Sequence, residues 1–135
     1  MPNLIQPYAL QSFNFSAWGA SSIKVALINS AYTYSATHHN LSDIGGIVAT
    51  SANLSGLTNV LGVLDASDYT FTALTGAVVT QCWLYLDTGV AGTSTLLIYI
   101  NQGIGLPYTP NGTDLQLEWT PQGIAWVYPF CSFHA

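Results

Sequence analysis

The chain has 135 residues and almost no charge: one lysine, no arginine, five aspartates and one glutamate give a net charge of −5. Charged residues make up 5% of the sequence, against about 25% in a typical soluble domain, which excludes nucleic-acid binding, a basic membrane patch and arginine clamps for anionic substrates. The polar groups are instead 14 Thr, 12 Ser, eight Asn and six Gln, a neutral surface that is easily desolvated and suits packing against other subunits.

The first half of the chain predicts an arm followed by short strands. Residues 1–20 are expected to form an N-terminal arm or a short helix that begins at Pro7. Residues 23–28 are apolar at nearly every position, which predicts a strand buried on both faces. A polar loop is predicted from Asn29 to Asp43. Further strands are predicted at 47–50, 57–64 and 69–74, separated by Gly, Asn, Ser and Asp turns.

The strongest strand signal is a hairpin between residues 78 and 101. On its first strand, one predicted face carries Val78, Thr80, Cys82, Leu84 and Leu86, and the other carries Val79, Gln81, Trp83 and Tyr85. The loop at 87–92 predicts the turn. On the returning strand, the alternation places Leu96, Ile98 and Ile100 toward the core and Leu97 and Tyr99 on the opposite face.

The end of the chain adds two more predicted strands, at 115–119 and 124–130. The total is about eight short strands with no convincing interior helix. We therefore expect one all-β domain over residues 1–135, an antiparallel β-sandwich or barrel of jelly-roll type with an N-terminal arm. No run of about eighteen apolar residues indicates a membrane span, and the N-terminus lacks the features of a signal peptide, so synthesis in the cytoplasm is expected.

The residues that usually carry chemistry do not form a convincing site. Cys82 and Cys131 are too few for a disulfide framework or a zinc knuckle, and Cys82 reads as a small core residue. The adjacent His38 and His39, with His134, have no acidic or cysteine ligand at a suitable spacing. No metal and no cofactor is expected.

The carboxylates also favour structural roles over catalysis. Asp65, Asp68 and Asp87 lie in turns, where aspartate accepts hydrogen bonds from nearby backbone amides. Asp114 and Glu118 share one face of a strand but stand about 13 Å apart, too far for a glycosidase pair. The turn at 65–68 lacks the run of acids of a calcium loop. No nucleophile elbow is present, so we expect no enzymatic activity and no catalytic residue.

The aromatic residues are the most informative group. Trp83, Tyr85 and Tyr99 are predicted to lie on one face of the hairpin, opposite the aliphatic face. Three interpretations remain open: this face is the second side of an ordinary core, a subunit interface, or a platform that stacks against sugars. These three residues are the candidate interface residues.

Five motifs in order resemble a family of small virion proteins encoded in the structural-gene clusters of tailed phages. They are SIKVALINSAYTYSATH, DIGGIVATSANLSG, LDASDYTFTALTG, LYLDTGVAGTSTLLIYIN and GLPYTPNGTDLQLEW. Together they cover roughly residues 22–120. The chain departs from the family pattern at both ends, where a charged helical start and basic C-terminal residues are replaced by QSFNFSAWGAS and IAWVYPFCSFHA.

The resemblance implies a structural protein of the phage particle. Such proteins look like capsid decoration or cement subunits, which bind the major capsid protein on the exterior of the shell, often as trimers. The expected partners are therefore the major capsid protein and other copies of this chain, with no nucleic acid and no membrane. Two alternatives stay open: a carbohydrate-binding β-sandwich displayed on the virion, and a structural protein of the tail or the head–tail junction.

Overall fold

The computed structural model describes residues 4–5, 15–60, 63–101, 106–119 and 124–126. All strand pairings in these ranges are antiparallel, and the helical segments are two 3-10 helices, at Phe15–Ala20 and Leu41–Asp43. The all-β prediction is confirmed. The strands are β1 Leu4–Ile5, β2 Ile23–Ile28, β3 Ile47–Thr50, β4 Thr58–Val60, β5 Val63–Asp65, β6 Tyr69–Phe71, β7 Gln81–Leu86, β8 Thr95–Ile100, β9 Leu115–Leu117 and β10 Ala125–Trp126.

The strands form one large sheet and two small ones. The large sheet has the order β1-β8-β7-β2-β3, and the small sheets have the orders β10-β5-β4 and β6-β9. One face of the large sheet packs against the small sheets, because a single buried cluster joins side chains of β2, β7 and β8 to Leu64 of β5, Phe71 of β6 and Leu117 of β9. We call this cluster the first core.

The opposite face of the large sheet is buried as well. A second cluster contains Trp83, Tyr85, Leu96 and Tyr99, together with residues of the loop that follows β2. This explains why β2 is apolar at almost every position, since its five residues other than Lys24 are all fully buried. The sequence prediction of a strand buried on both faces is confirmed.

A bulge in β8 changes the predicted assignment of side chains to faces. Leu84 pairs with Ile98 and Tyr85 pairs with Leu96, so Leu97 is an extra residue between two paired positions. Leu97 and Ile98 therefore both join the first core, and Leu96 turns to the second. The strict alternation predicted for Leu96 and Leu97 was wrong, because a bulge shifts the two-residue period by one position.

Two further strand predictions are corrected. The predicted strand at 57–64 is a hairpin of β4 and β5, in which Val60 pairs with Val63. The predicted strand at 78–86 begins only at Gln81. Before it, Val79 forms an isolated bridge to Tyr108 and packs in the first core, instead of sharing the face of Trp83.

The ends of the chain are only partly described. Leu4 and Ile5 of the predicted arm pair with Tyr99 and Ile98 at the edge of the large sheet. Residues 1–3 and 6–14 of the predicted arm, residues 127–130 of the predicted last strand, and residues 131–135 lie outside the described residues. In the described part of the chain, no helix is long and apolar enough to span a membrane.

Candidate functional site

The three candidate interface residues lie inside the chain, beneath its own loop. The exposed fraction is 0% for Trp83, 3% for Tyr85 and 9% for Tyr99. The residues between Asn29 and Gly46, which we call the covering loop, lie over this face. In this fold the three side chains belong to the second buried cluster, which we call the second core. A second side of the core was one of the three interpretations that the sequence left open. An interface here would have to use the outer surface of the covering loop.

The covering loop contributes two tyrosines to an aromatic cluster. The ring of Tyr34 stacks on Trp83 with centroids 5.9 Å apart and an angle of 22° between the planes. Its centroid also lies 4.7 Å from that of Tyr99, and Trp83 and Tyr99 are 5.1 Å apart. Such offset and tilted ring pairs add about 0.5–1.5 kcal/mol each beyond the burial of apolar area. The rings therefore hold the loop on the sheet.

Hydrogen bonds fix the same loop to the same strands. The side-chain amide of Gln81 donates to the backbone carbonyls of Asn29 and Tyr32, each at 2.9 Å, and its oxygen accepts from the hydroxyl of Tyr99. The Tyr32 hydroxyl accepts from Nε1 of Trp83 at 3.3 Å and lies 2.7 Å from Nδ1 of His38. Among the described residues, every buried side-chain nitrogen and oxygen has a partner, so the network is structural.

Burial keeps the tyrosines of this cluster neutral. Desolvation raises the pKa of Tyr32, Tyr34 and Tyr99 above its usual value of 10.0. None of them is therefore poised to act as a base near neutral pH. The cluster has the properties of a second core. The sequence did not predict the part of it that the covering loop contributes. The only sequence signal for that part was the Tyr-Thr-Tyr spacing at residues 32–34 in an otherwise polar segment.

The aspartates accept hydrogen bonds from backbone amides. In the turn at 65–68, Asp65 accepts from the N–H of Ala66 at 2.8 Å, and Asp68 accepts from that of Trp119 at 3.3 Å. The bond to Asp65 is the local turn contact that the sequence predicted, whereas the bond to Asp68 joins the turn to a residue far along the chain. The described residues contain no group of three or more metal-ligand side chains, and His134 lies outside them.

Two more aspartates hold turns in the same way. Asp43 accepts from the N–H groups of His39 at 2.9 Å and Asn40 at 3.1 Å, and these bonds lower the pKa of its carboxyl. Asp114 accepts at 2.9 Å from the N–H of Ala73, a residue with a positive φ of 50°. Asp43 and Asp114 thus each stabilise the backbone of a separate turn.

The single lysine of the chain is engaged in an ion pair. Nζ of Lys24 lies 3.0 Å from a carboxylate oxygen of Asp87. The same aspartate accepts from the N–H of Gly89 at 3.2 Å. The hydrogen bond from Lys24 is the main reason why the pKa of Asp87 is lowered. The cation is therefore not presented as a free charge to a partner.

Cys82 is a free thiol in the first core. Complete burial raises its pKa to about 12. Because the thiolate is the nucleophilic form, this thiol is inert at neutral pH. The interpretation of Cys82 as a small apolar core residue is confirmed.

The structure contains a surface groove that the sequence did not reveal. It has a volume of about 410 Å³ and is lined by residues 48–50 of β3 and residues 69–75, which include β6. Neither β2 nor β9, the pairing partners of these strands, contributes to the lining. The groove therefore lies along the unpaired edges of both strands. None of its lining residues is charged.

No model of a known protein family matches the chain, and no curated protein matches it. The resemblance to phage virion proteins therefore depends on the sequence motifs alone.

Proposed function

We propose that this chain is a structural protein of a tailed-phage virion, a decoration subunit that binds the major capsid protein on the exterior of the shell. Its action is mechanical: each copy bridges neighbouring subunits, and many modest contacts add up across a symmetric lattice. No catalytic step is involved. The chain is made in the host cytoplasm and associates with other copies of itself, as a trimer.

The observation that carries this proposal is the way in which the fold uses its few charges. Lys24 is paired with Asp87, and the five aspartates all accept hydrogen bonds from backbone amides of their own chain. Apart from these carboxylates and Glu118, the surface left for a partner consists mainly of hydroxyl, amide and apolar groups. Such a surface is desolvated at little cost over a large interface.

The docking of this chain should therefore be insensitive to salt. Interactions between exposed charges are screened beyond about 10 Å at 0.1 M salt, whereas apolar burial contributes roughly 25 cal/mol per Å² regardless of such screening. We expect the protein to stay on purified virus particles in molar sodium chloride and to leave them in moderate urea. Release by sodium chloride alone would refute a neutral interface.

Particle composition tests the location. Quantitative mass spectrometry of purified particles should find the chain at a copy number comparable to that of the major capsid protein, and immunogold labelling should mark the head. Labelling confined to the tail would place the chain in the alternative tail or head–tail position.

The variant Lys24→Gln is expected to dock as the wild type does. Variants at Trp83 or Tyr85 would test folding instead, because both side chains are buried.

A further inference from the structure

We propose that the groove between β3 and β6 accepts an uncharged, extended segment of the partner protein as an added β-strand. This inference rests on the proposed function and names the surface through which docking would occur. Adding a strand to an exposed sheet edge is a common mode of peptide recognition, in which backbone hydrogen bonds supply affinity. The groove has three properties that this mode requires.

The first property is a pair of outward-facing backbones. On β3, the N–H of Ser51 donates to the carbonyl of Val25, and Thr50 pairs with Ala26. In an antiparallel ladder, hydrogen-bonded and non-hydrogen-bonded pairs alternate. Because the neighbouring Ser51–Val25 pair is hydrogen-bonded, the Thr50–Ala26 pair is not. The backbone N–H and C=O of Thr50 therefore point away from β2, toward the groove.

The opposite wall has the same arrangement. Thr70 is the centre of the three-residue pairing between β6 and β9. Residues 68 and 118 are both among the described residues, and no backbone hydrogen bond joins them. The hydrogen-bonded pairs of this ladder are therefore the two end pairs, so the backbone groups of Tyr69 and Phe71 point toward β9. The backbone groups of Thr70 point away from β9. Within the described part of the chain, two strand edges thus present backbone donors and acceptors without a partner to one groove.

The second property is size. A strand residue occupies roughly 160 Å³, since strands are about 4.8 Å apart, sheets about 10 Å apart, and the rise is about 3.3 Å per residue. The groove volume of about 410 Å³ therefore holds two to three residues. This agrees with the lengths of its walls, four residues in β3 and three in β6.

The third property is charge. The ten lining residues include four threonines, and none of the ten is ionisable except Tyr69. A charged segment would lose its hydration in this groove without gaining a partner of opposite charge. The fitting occupant is therefore a short run of uncharged residues in extended conformation. Such a contact is also consistent with docking that resists salt.

Hydrogen exchange on the isolated full-length chain tests whether the edges are available. We expect the amides of Thr50 and Thr70 to exchange rapidly, while those of Ala49 and Phe71, which face the paired strands, exchange slowly. Slow exchange at Thr50 and Thr70 would mean that a segment of this chain already occupies the groove, and it would overturn the proposal.

Proline variants then test docking on purified virus particles from which the protein has been removed by urea. Thr70→Pro removes the N–H that faces the groove and the side-chain hydroxyl, and it places its ring in the groove. Thr70→Val also loses the hydroxyl but keeps the N–H and the side-chain shape. Because Thr70→Pro loses a backbone hydrogen bond to the added strand and its ring obstructs the groove, we expect it to bind about tenfold more weakly than the wild type and Thr70→Val to bind like the wild type. Thr50→Pro, with Thr50→Val as its control because both variants lose the side-chain hydroxyl that bonds Tyr85, gives a second pair should Thr70→Pro not fold.

The outcomes separate the two proposals. Normal docking of both folded proline variants overturns the groove as the docking site and leaves the proposed function intact. Failure of the wild-type chain to bind the particles overturns both. In bound particles, peptides covering residues 47–52 and 69–75 should exchange more slowly than in the free protein, and unchanged exchange in both would also overturn the groove proposal.

Discussion

The indole N–H of Trp83 donates a hydrogen bond to the hydroxyl of Tyr32 across 3.3 Å. This contact links the centre of the large sheet to the covering loop. The hydroxyl also lies 2.7 Å from Nδ1 of His38, farther along the loop. One phenol oxygen thus joins a buried strand residue to two points of the loop, and the loop is thereby part of the folded core.

Removing that oxygen should destabilise the protein. Tyr32→Phe leaves the buried indole N–H of Trp83 without a partner, and an unsatisfied buried donor costs about 1–3 kcal/mol. Urea denaturation followed by tryptophan fluorescence measures the change. Tyr34→Phe is the control, since Tyr34 contacts Trp83 through its ring and the ring remains. Equal losses in the two variants would contradict the role of the Tyr32 hydroxyl.

Gly46 should resist substitution where its neighbour does not. Gly46 has a φ of +71°, and an added Cβ would collide with the side-chain amide of Asn29. Gly45 has no atom within 4 Å of such a Cβ. Because a positive φ disfavours residues with a side chain, we expect Gly46→Ala to lose about 1–3 kcal/mol and Gly45→Ala to change stability by less than about 0.5 kcal/mol. Thermal unfolding of both variants checks this, and similar melting temperatures would contradict it.

The bulge in β8 predicts which deletion the fold tolerates. Without Leu97, Leu96 and Ile98 still face their present cores, so the loss should resemble a Leu-to-Ala change of about 2–5 kcal/mol. Deleting Tyr99 instead shifts the residues after it by one position, so that Ile100 turns to the face of the sheet opposite its present core. We expect the Leu97 deletion to give a folded, less stable protein and the Tyr99 deletion to abolish cooperative unfolding. Circular dichroism and thermal melting distinguish these outcomes, and the reverse pattern would contradict the bulge.

The carboxyl of Asp43 should make stability depend on acid pH. Its pKa in the folded chain is below the unfolded value of 3.8, because it accepts hydrogen bonds from the amides of His39 and Asn40. A lowered folded pKa stabilises the protein above the unfolded pKa, and this stabilisation is lost as the pH falls through the folded pKa.

Asp43→Asn isolates this effect, since an amide oxygen still accepts a hydrogen bond but does not titrate. We expect the wild type to exceed the variant by about 1 kcal/mol or less at pH 7, because the carboxylate is exposed, and the difference to shrink as the pH falls below 3.8. Urea midpoints of both proteins from pH 7 to pH 2 measure it. A difference that stays constant over this range would contradict the assignment.

Local patterns were sufficient for much of this fold. The run at 23–28 and the hairpin around residues 87–92 were predictable, because a strand buried on both faces has a recognisable composition and a turn has its own chemistry. The structural role of Asp65 and Asp87 was predictable for the same reason. Each of these conclusions depends on residues that are neighbours in the chain.

The structure alone decided which surfaces are covered. Sequence alternation placed Trp83, Tyr85 and Tyr99 on one face, but only the fold shows that the covering loop buries it. The groove between β3 and β6 likewise joins segments about twenty residues apart, through edges that no local pattern marks. Periodicity reports which side chains share a face of one strand, whereas burial of that face depends on the packing of distant segments, which a two-residue period does not encode.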